Sequence, residues 1–194
     1  MSKKLTNEEI IENRQTFHKI CKMYNVCNDD FLLFLDSTDF YYAPLMPMKS
    51  GVNVFSGGLV EYIIKVSRYI LKINKTLPEQ FRVNEESLIK VAIVHNLGRI
   101  NLFIPNKNNW SVINQGRVYE YNNTLTAFTI PERSLYYIQG FIKLSDAELQ
   151  AIFNYEKEND KQAEYYSNII TDILKSTIKL TLYILKEEED GRTE

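Results

Sequence analysis

Apolar and polar residues alternate along most of the chain with the 3.6-residue period of α-helices. Thr6 and Glu9 have the spacing of a capping box, which predicts that a first helix begins there. Further helices are predicted after Asn28, across 59–71, from Asn84 to Gly98, after Pro131, after Ser145, and from about residue 160 to residue 186. The pattern predicts a mainly α-helical protein in which residues 57–98 form two packed helices.

Residues 101–129 depart from this helical pattern. Short runs of β-branched and aromatic residues around 112–113, 118–119 and 125–129 are separated by residue pairs that contain Asn or Gly. This segment predicts a small antiparallel β insertion in a helical bundle. We find no internal repeat and no linker composition, so we expect a single domain over 1–194, with an N-terminal helical extension over 1–30 and a charged tail over 187–194.

The composition excludes several classes of protein. A hydrophobic fraction of 44% in 194 residues is sufficient for a sizeable core. The formal net charge of −2 lacks the basic excess that non-specific nucleic-acid binding requires. No apolar segment reaches the roughly 18 residues of a membrane span, and no signal-peptide pattern follows Met1. We therefore expect a cytoplasmic protein without a membrane partner, and the sequence carries no strong signal of nucleic-acid binding.

The two cysteines and the general residue usage add little specificity. Cys21 and Cys27 have no histidine pair nearby, so they form neither a zinc motif nor a secreted disulfide framework, and two reduced thiols are expected. The chain is rich in Asn, Ile, Lys and Tyr, as is typical of proteins encoded by AT-rich DNA. This usage is compatible with a phage or a bacterium of low GC content.

One segment suggests a chemical site. His95-Asn96-Leu97-Gly98-Arg99 stands at the end of a predicted helix and is similar to the His-Asp-Leu-Gly-Lys signature of HD-domain phosphohydrolases. Segments 38–44, 56–62 and 141–145, together with the insertion around Trp110, accompany it in the order found in a branch of small bacterial and phage HD-domain proteins. The ordered set covers roughly residues 31–186. The resemblance implies an HD-like helical core over 31–186.

The resemblance also implies that most metal ligands of the family have been lost. The positions that correspond to ligands are Tyr62, His95, Asn96, Ile130, Tyr155 and Asp172. Only His95 and Asp172 keep a residue type that binds metals well. A tyrosine is protonated at pH 7, an isoleucine has no lone pair, and an asparagine lacks the negative charge of aspartate. We therefore expect no bound metal, no cofactor and no catalytic residue. We also expect Tyr62, Asn96, Ile130 and Tyr155 to converge where a di-metal centre would lie.

Two functions remain open at this point. The first is a catalytically inactive HD-fold protein with a structural or protein-interaction role, binding a protein partner or a second copy of itself. For a phage protein, its location would be the host cytoplasm or a virion assembly. The alternative is a metal-dependent phosphohydrolase or nucleotide-binding protein with a rebuilt site. Arg99 is the candidate phosphate contact, because its planar guanidinium matches a phosphate. Trp110, on the insertion, is the candidate interface residue.

Overall fold

The computed structural model describes residues 4–157 and 168–191. This part of the chain is mainly helical with one small antiparallel sheet, as the sequence pattern predicts. The helices are α1 (Asn7–Met23), α2 (Asp29–Asp36), α3 (Gly58–Thr76), α4 (Glu85–Val94), α5 (Asn109–Asn114), α6 (Ile130–Tyr137), α7 (Asp146–Asn154) and α8 (Ile169–Glu189). The strands are β1 (Phe103–Pro105) and β2 (Tyr119–Tyr121). The predicted start of the last helix near residue 160 lies outside the described residues.

The predicted helix starts are confirmed at α1 and α7. The Thr6 backbone N–H donates to the Glu9 carboxylate at 2.7 Å, and the Glu9 N–H donates to the Thr6 hydroxyl at 3.3 Å. Ser145 and Glu148 form the same reciprocal pair before α7. Each pair satisfies two backbone donors that a helix start would otherwise leave without partners.

The two helices predicted between residues 57 and 98 are present, and α3 packs against α4. Helix α4 ends at Val94, which is four residues before the predicted stop at Gly98. A 3₁₀ turn, Leu97–Arg99, follows it. Helix α8 packs against both α3 and α4, so that α3 has neighbours along most of its length. The core is built around these three helices.

The described residues of both predicted chain extensions are part of the packed structure. Phe17 and Cys21 of α1 are buried in the main core, so the N-terminal helix contributes to that core. Residues 187–189 belong to α8 and not to a separate tail. The Glu188 carboxylate pairs with Lys65 of α3, and the Glu189 carboxylate accepts the backbone N–H of Asn53 at 2.7 Å. These contacts anchor the end of α8.

The insertion contains less β-structure than predicted. Strands β1 and β2 pair antiparallel, with Phe103 opposite Tyr121 and Pro105 opposite Tyr119. Residues 112–113 lie in helix α5 instead, because the Asn108 side chain accepts the backbone N–H groups of Trp110 and Ser111 and so caps a helical turn. Residues 125–129 form no strand. The prediction of a strand at 112–113 was therefore wrong, because it rested on the β-branched side chains of these residues.

Helix α6 fixes the chain that follows α4. The Gly98 N–H donates to the Ser134 hydroxyl at 2.8 Å, and that hydroxyl donates to the His95 carbonyl at 3.1 Å. The buried Arg133 guanidinium donates to the carbonyls of Gly98 and Ile100, both at 2.8 Å. A Cβ atom at position 98 would lie 2.1 Å from the carbonyl oxygen of Ile130. This close approach allows only glycine at position 98.

No helix within residues 4–157 and 168–191 is both long enough and apolar enough to cross a membrane.

We predict that Gly98→Ala lowers the free energy of unfolding by about 3 kcal/mol, because a backbone contact has to move to accommodate the added methyl group. The comparison variant is Gly140→Ala, where the added Cβ would meet nothing within 4 Å and only the backbone conformation at φ +83° is strained. That strain costs about 1 kcal/mol. Urea unfolding followed by circular dichroism measures both. Equal losses in the two variants would contradict the proposed close contact.

Candidate functional site

Two helix ends bring Tyr62 and His95 together. Gly57 adopts a left-handed conformation (φ +86°) at the start of α3, and a Cβ on Gly58 would lie 2.3 Å from the Asn53 carbonyl oxygen. The start of α3 is thereby held against the preceding loop, and Tyr62 lies in the next turn. His95 directly follows the last residue of α4. Both side chains are buried.

Both ring nitrogens of His95 are engaged in hydrogen bonds. Nδ1 lies 2.8 Å from the carbonyl oxygen of Ala92. Because a carbonyl oxygen only accepts, Nδ1 carries the proton and Nε2 carries the lone pair. The Tyr62 hydroxyl lies 3.2 Å from Nε2 and therefore donates to it. The lone pair that a metal ion would require on His95 is already occupied by Tyr62.

The surroundings keep His95 neutral. Burial is the largest cause, and the nearby positive charge of Arg99 acts in the same direction, so that the pKa of His95 is lowered from 6.5 to about 3 despite the Ala92 hydrogen bond. Burial also raises the pKa of Tyr62 and of Tyr155, so both phenols remain protonated. The Tyr155 ring meets the His95 ring edge to face, with 5.3 Å between centroids. Three uncharged rings thus pack around one hydrogen bond.

Asn96 and Arg99 form the polar side of the site. Arg99 Nε donates to Asn96 Oδ1 at 2.8 Å, and one terminal nitrogen of Arg99 donates to the Leu45 carbonyl at 2.8 Å. The Asn96 side chain lies near the Tyr62 hydroxyl and partly offsets the effect of burial on the Tyr62 pKa. Asn96, which the resemblance to HD-domain proteins aligns with an aspartate, therefore binds a neighbouring guanidinium. Among the described residues, no carboxylate forms an ion pair with Arg99.

A cavity of about 220 Å³ lies over this group of side chains. Its lining residues come from the loop before α3, from α3, from the end of α4, from the end of α7 and from α8: Leu45, Met46, Tyr62, Asn96, Arg99, Tyr155, Glu156, Ile178 and Leu182. The Tyr155 hydroxyl donates to the Glu156 carboxylate at 3.0 Å. The cavity is smaller than typical ligand pockets, which measure about 300–1,000 Å³.

The structure brings together four of the six predicted positions: Tyr62, His95, Asn96 and Tyr155. Ile130 does not line the cavity; its backbone packs on Gly98 at the start of α6. Asp172 is exposed in the first turn of α8 and lies outside the cavity, which Ile178 and Leu182 reach from the same helix. The predicted convergence is therefore incomplete.

Sequence reasoning missed several residues of the site. Leu45 and Met46 lie in a loop without periodicity, so nothing in the sequence indicated their position. Glu156 is adjacent to Tyr155 and could have been included on that ground. Arg133 was missed because it follows the unrecognised capping box of Thr129 and Glu132, which starts α6.

The described residues contain no group of three or more His, Cys, Asp or Glu side chains placed to hold a metal ion. Around His95 the available side chains are a phenol, an amide and a guanidinium, which are poor or repulsive metal ligands at neutral pH. Arg99 remains the residue best suited to contact an anion in the cavity. The described side chains around His95 can accept a small polar ligand but lack the ligand set that a water-activating metal requires.

We predict that His95 makes the free energy of unfolding dependent on pH. Its folded-state pKa is lowered from 6.5, so its contribution to stability is complete above pH 6.5 and declines as the pH falls towards about 3. The slope from this residue reaches about 1.4 kcal/mol per pH unit. His95→Gln keeps a donor and an acceptor but cannot be protonated, so its stability should decline less steeply.

Urea unfolding between about pH 7.5 and about pH 4.5 tests this difference in slope. The carboxylates contribute equally to both proteins and cancel in the comparison. His18→Gln is the control, because His18 is only half-buried and bonds Tyr41 at 2.8 Å outside the site. Burial and the Arg14 charge also lower the pKa of His18, but less strongly than the pKa of His95 is lowered, so the control should retain most of the steep decline. Parallel curves for the wild type and His95→Gln would refute a buried neutral His95.

Comparison with protein-family models, with curated proteins and with solved structures found no match. The resemblance to HD-domain proteins stays a prediction, and the interpretation of the site rests on its own geometry.

Proposed function

We propose that this chain is a catalytically inactive HD-fold protein with a structural or protein-interaction role. The observation that carries the proposal is the hydrogen bond from the Tyr62 hydroxyl to Nε2 of His95, at 3.2 Å. In a metal-dependent hydrolase of this type, that nitrogen would coordinate a metal that activates water. Here a phenol holds it instead, and the neighbouring positions carry Asn96 and Tyr155. The site supports stability and not turnover.

The insertion supplies the surface that we assign to protein binding. Trp110 is 61% exposed and Ile113 is 75% exposed. They are three residues apart on α5, so they share one face of that helix. Large exposed apolar and aromatic side chains are enriched at protein interfaces. A second copy of this chain is the partner that can be tested directly.

The alternative is a phosphohydrolase or nucleotide-binding protein with a rebuilt site. One observation favours it: Arg99 lines the cavity and forms no ion pair within the described residues. A guanidinium in that setting can receive a phosphate through two parallel hydrogen bonds. The size of the cavity, about 220 Å³, limits the bound portion to a small group.

A paired experiment tests the two functions on the same purified protein. Sedimentation velocity should show self-association, and the double variant Trp110→Ala/Ile113→Ala should weaken it by about tenfold or more, because exposed aromatic anchors dominate interface energies. Hydrolysis of phosphomonoester and phosphodiester substrates with added Mn²⁺ should be absent. Asn96→Asp should not restore it, because one carboxylate next to Arg99 leaves the ligand set incomplete.

The control for association is Tyr183→Ala, which removes an aromatic side chain of similar exposure (63%) from α8 and should leave association unchanged. Asn96→Asp should have nearly wild-type stability, because the new carboxylate forms an ion pair with Arg99, which already donates to this position. A wild-type protein that stays monomeric and turns over substrate, with activity abolished by His95→Ala, would overturn the proposal in favour of the alternative.

A further inference from the structure

A second cavity lies between α1, α3 and α4 and shares no lining residue with the cavity beside His95. Its volume is about 340 Å³, which is within the range of about 300–1,000 Å³ that is typical of small-molecule sites. Its lining residues belong to these three helices and to Tyr24, which caps the end of α1. Packed helices therefore hold its walls in place.

Helices α1 and α3 run side by side along this second cavity. A Cβ on Gly57, at the start of α3, would lie 3.1 Å from the Ile10 side chain, near the start of α1. Both helices also line the cavity further along, so they run in the same direction. The lining residues of α1 span two helical turns, from Thr16 to Tyr24, so the cavity extends about 12 Å along that helix.

Much of the lining is apolar. Ile20 and Met23 of α1, Leu71 of α3 and Ile89 of α4 contribute aliphatic or thioether side chains. Ile89 is buried, whereas Met23 is 64% exposed, so the cavity extends from the core to the surface. An aliphatic chain that lies along these residues leaves water, which is favourable in proportion to the apolar area removed from solvent.

Two cationic side chains, Lys19 of α1 and Arg68 of α3, line the same cavity, and both are exposed. In the part of the chain that the structure describes, neither forms an ion pair with a carboxylate. The lining contains no acidic residue. Glu85, which neighbours Tyr24, is paired with Lys75 at 3.8 Å. The cavity therefore attracts an anion.

One polar group of the lining lacks a partner. The Ser67 hydroxyl is buried and forms no hydrogen bond with the described residues. Buried hydroxyl groups are usually hydrogen-bonded. Because Ser67 lines the cavity and directly precedes Arg68, an anion bound by Arg68 brings an acceptor towards this hydroxyl.

We propose that this second cavity binds an aliphatic monocarboxylate. The carboxylate is held by Lys19 and Arg68, and the aliphatic tail lies along Ile20, Met23 and Leu71. A guanidinium binds the two oxygens of a carboxylate through parallel hydrogen bonds. The volume of about 340 Å³ limits the ligand to a single tail. This binding activity goes beyond the structural role proposed above and requires neither catalysis nor a protein partner.

Titration calorimetry of the full-length chain with octanoate, below its critical micelle concentration, tests the proposal. Octanoate should bind saturably at one site per chain. Acetate lacks the tail and octanol lacks the charge, so each should bind at least tenfold more weakly. Absence of saturable octanoate binding, or octanol binding as tight as that of octanoate, would contradict the proposal.

Two double variants test the charged end of the site, and circular dichroism verifies that each is folded. Lys19→Gln/Arg68→Gln should weaken octanoate binding by at least tenfold, because it removes two charge-assisted contacts. Lys22→Gln/Lys72→Gln is the matched control, since it removes two exposed cations from the same helices that do not line the cavity. The control should bind like the wild type. Equal weakening by the two double variants would reduce the effect to net charge and overturn the proposal.

Methionine methyl groups report where octanoate binds. Met23 lines the second cavity, whereas Met46 lines the cavity beside His95. In magnetic resonance spectra of protein with isotope-labelled methionine methyl groups, octanoate should shift the Met23 signal and leave the Met46 signal in place. A shift of Met46 without a shift of Met23 would place the ligand beside His95 and refute the assignment.

Discussion

The imidazole of His95 is fully buried and is hydrogen-bonded at both ring nitrogens. Ala92 accepts the proton of Nδ1, and Tyr62 supplies a proton to Nε2. An imidazole in this state is neutral, and a protonated one could no longer accept the Tyr62 hydrogen bond and would be repelled by the charge of Arg99. The packing of α3, α4 and the end of α7 around this ring therefore depends on its staying neutral. The Tyr62 hydrogen bond, and not the neutral state, occupies the lone pair that a metal would need.

The segment after His95 transmits this constraint to the rest of the fold. Ser134 bonds both the His95 carbonyl and the Gly98 N–H, and Arg133 bonds the carbonyls of Gly98 and Ile100. These contacts fix the 3₁₀ turn and, through it, the position of Arg99 at the cavity. Their number and burial indicate that the polar groups of this region are used for structure. Arg99 also lines the cavity, so its guanidinium could contact a ligand there. This gives the ligand-binding alternative a physical basis.

The sequence predicted those features that depend on local spacing. The capping boxes at Thr6 and Ser145 and the two helices between residues 57 and 98 follow from hydrogen-bond geometry and helical period, which neighbouring residues decide. The β insertion was overestimated because residues 112–113 have β-type side chains, whereas the Asn108 cap determines their conformation. The grouping of Tyr62, His95, Asn96 and Tyr155 came from an ordered resemblance. Contacts between distant segments determine where Leu45, Arg133, Ile130 and Asp172 lie. No local sequence pattern contains that information.

The central claim is that the Tyr62 hydroxyl and the Ala92 carbonyl, and not a metal, satisfy the two ring nitrogens of His95. The protein is expressed in medium supplied with Mn, Fe, Zn and Ni and then purified. Its metal content, measured by elemental mass spectrometry, tests this claim most directly. We predict far less than one metal ion per chain, with no change after dialysis against a chelator. One or two tightly held ions per chain, lost together with thermal stability in His95→Ala, would contradict the account.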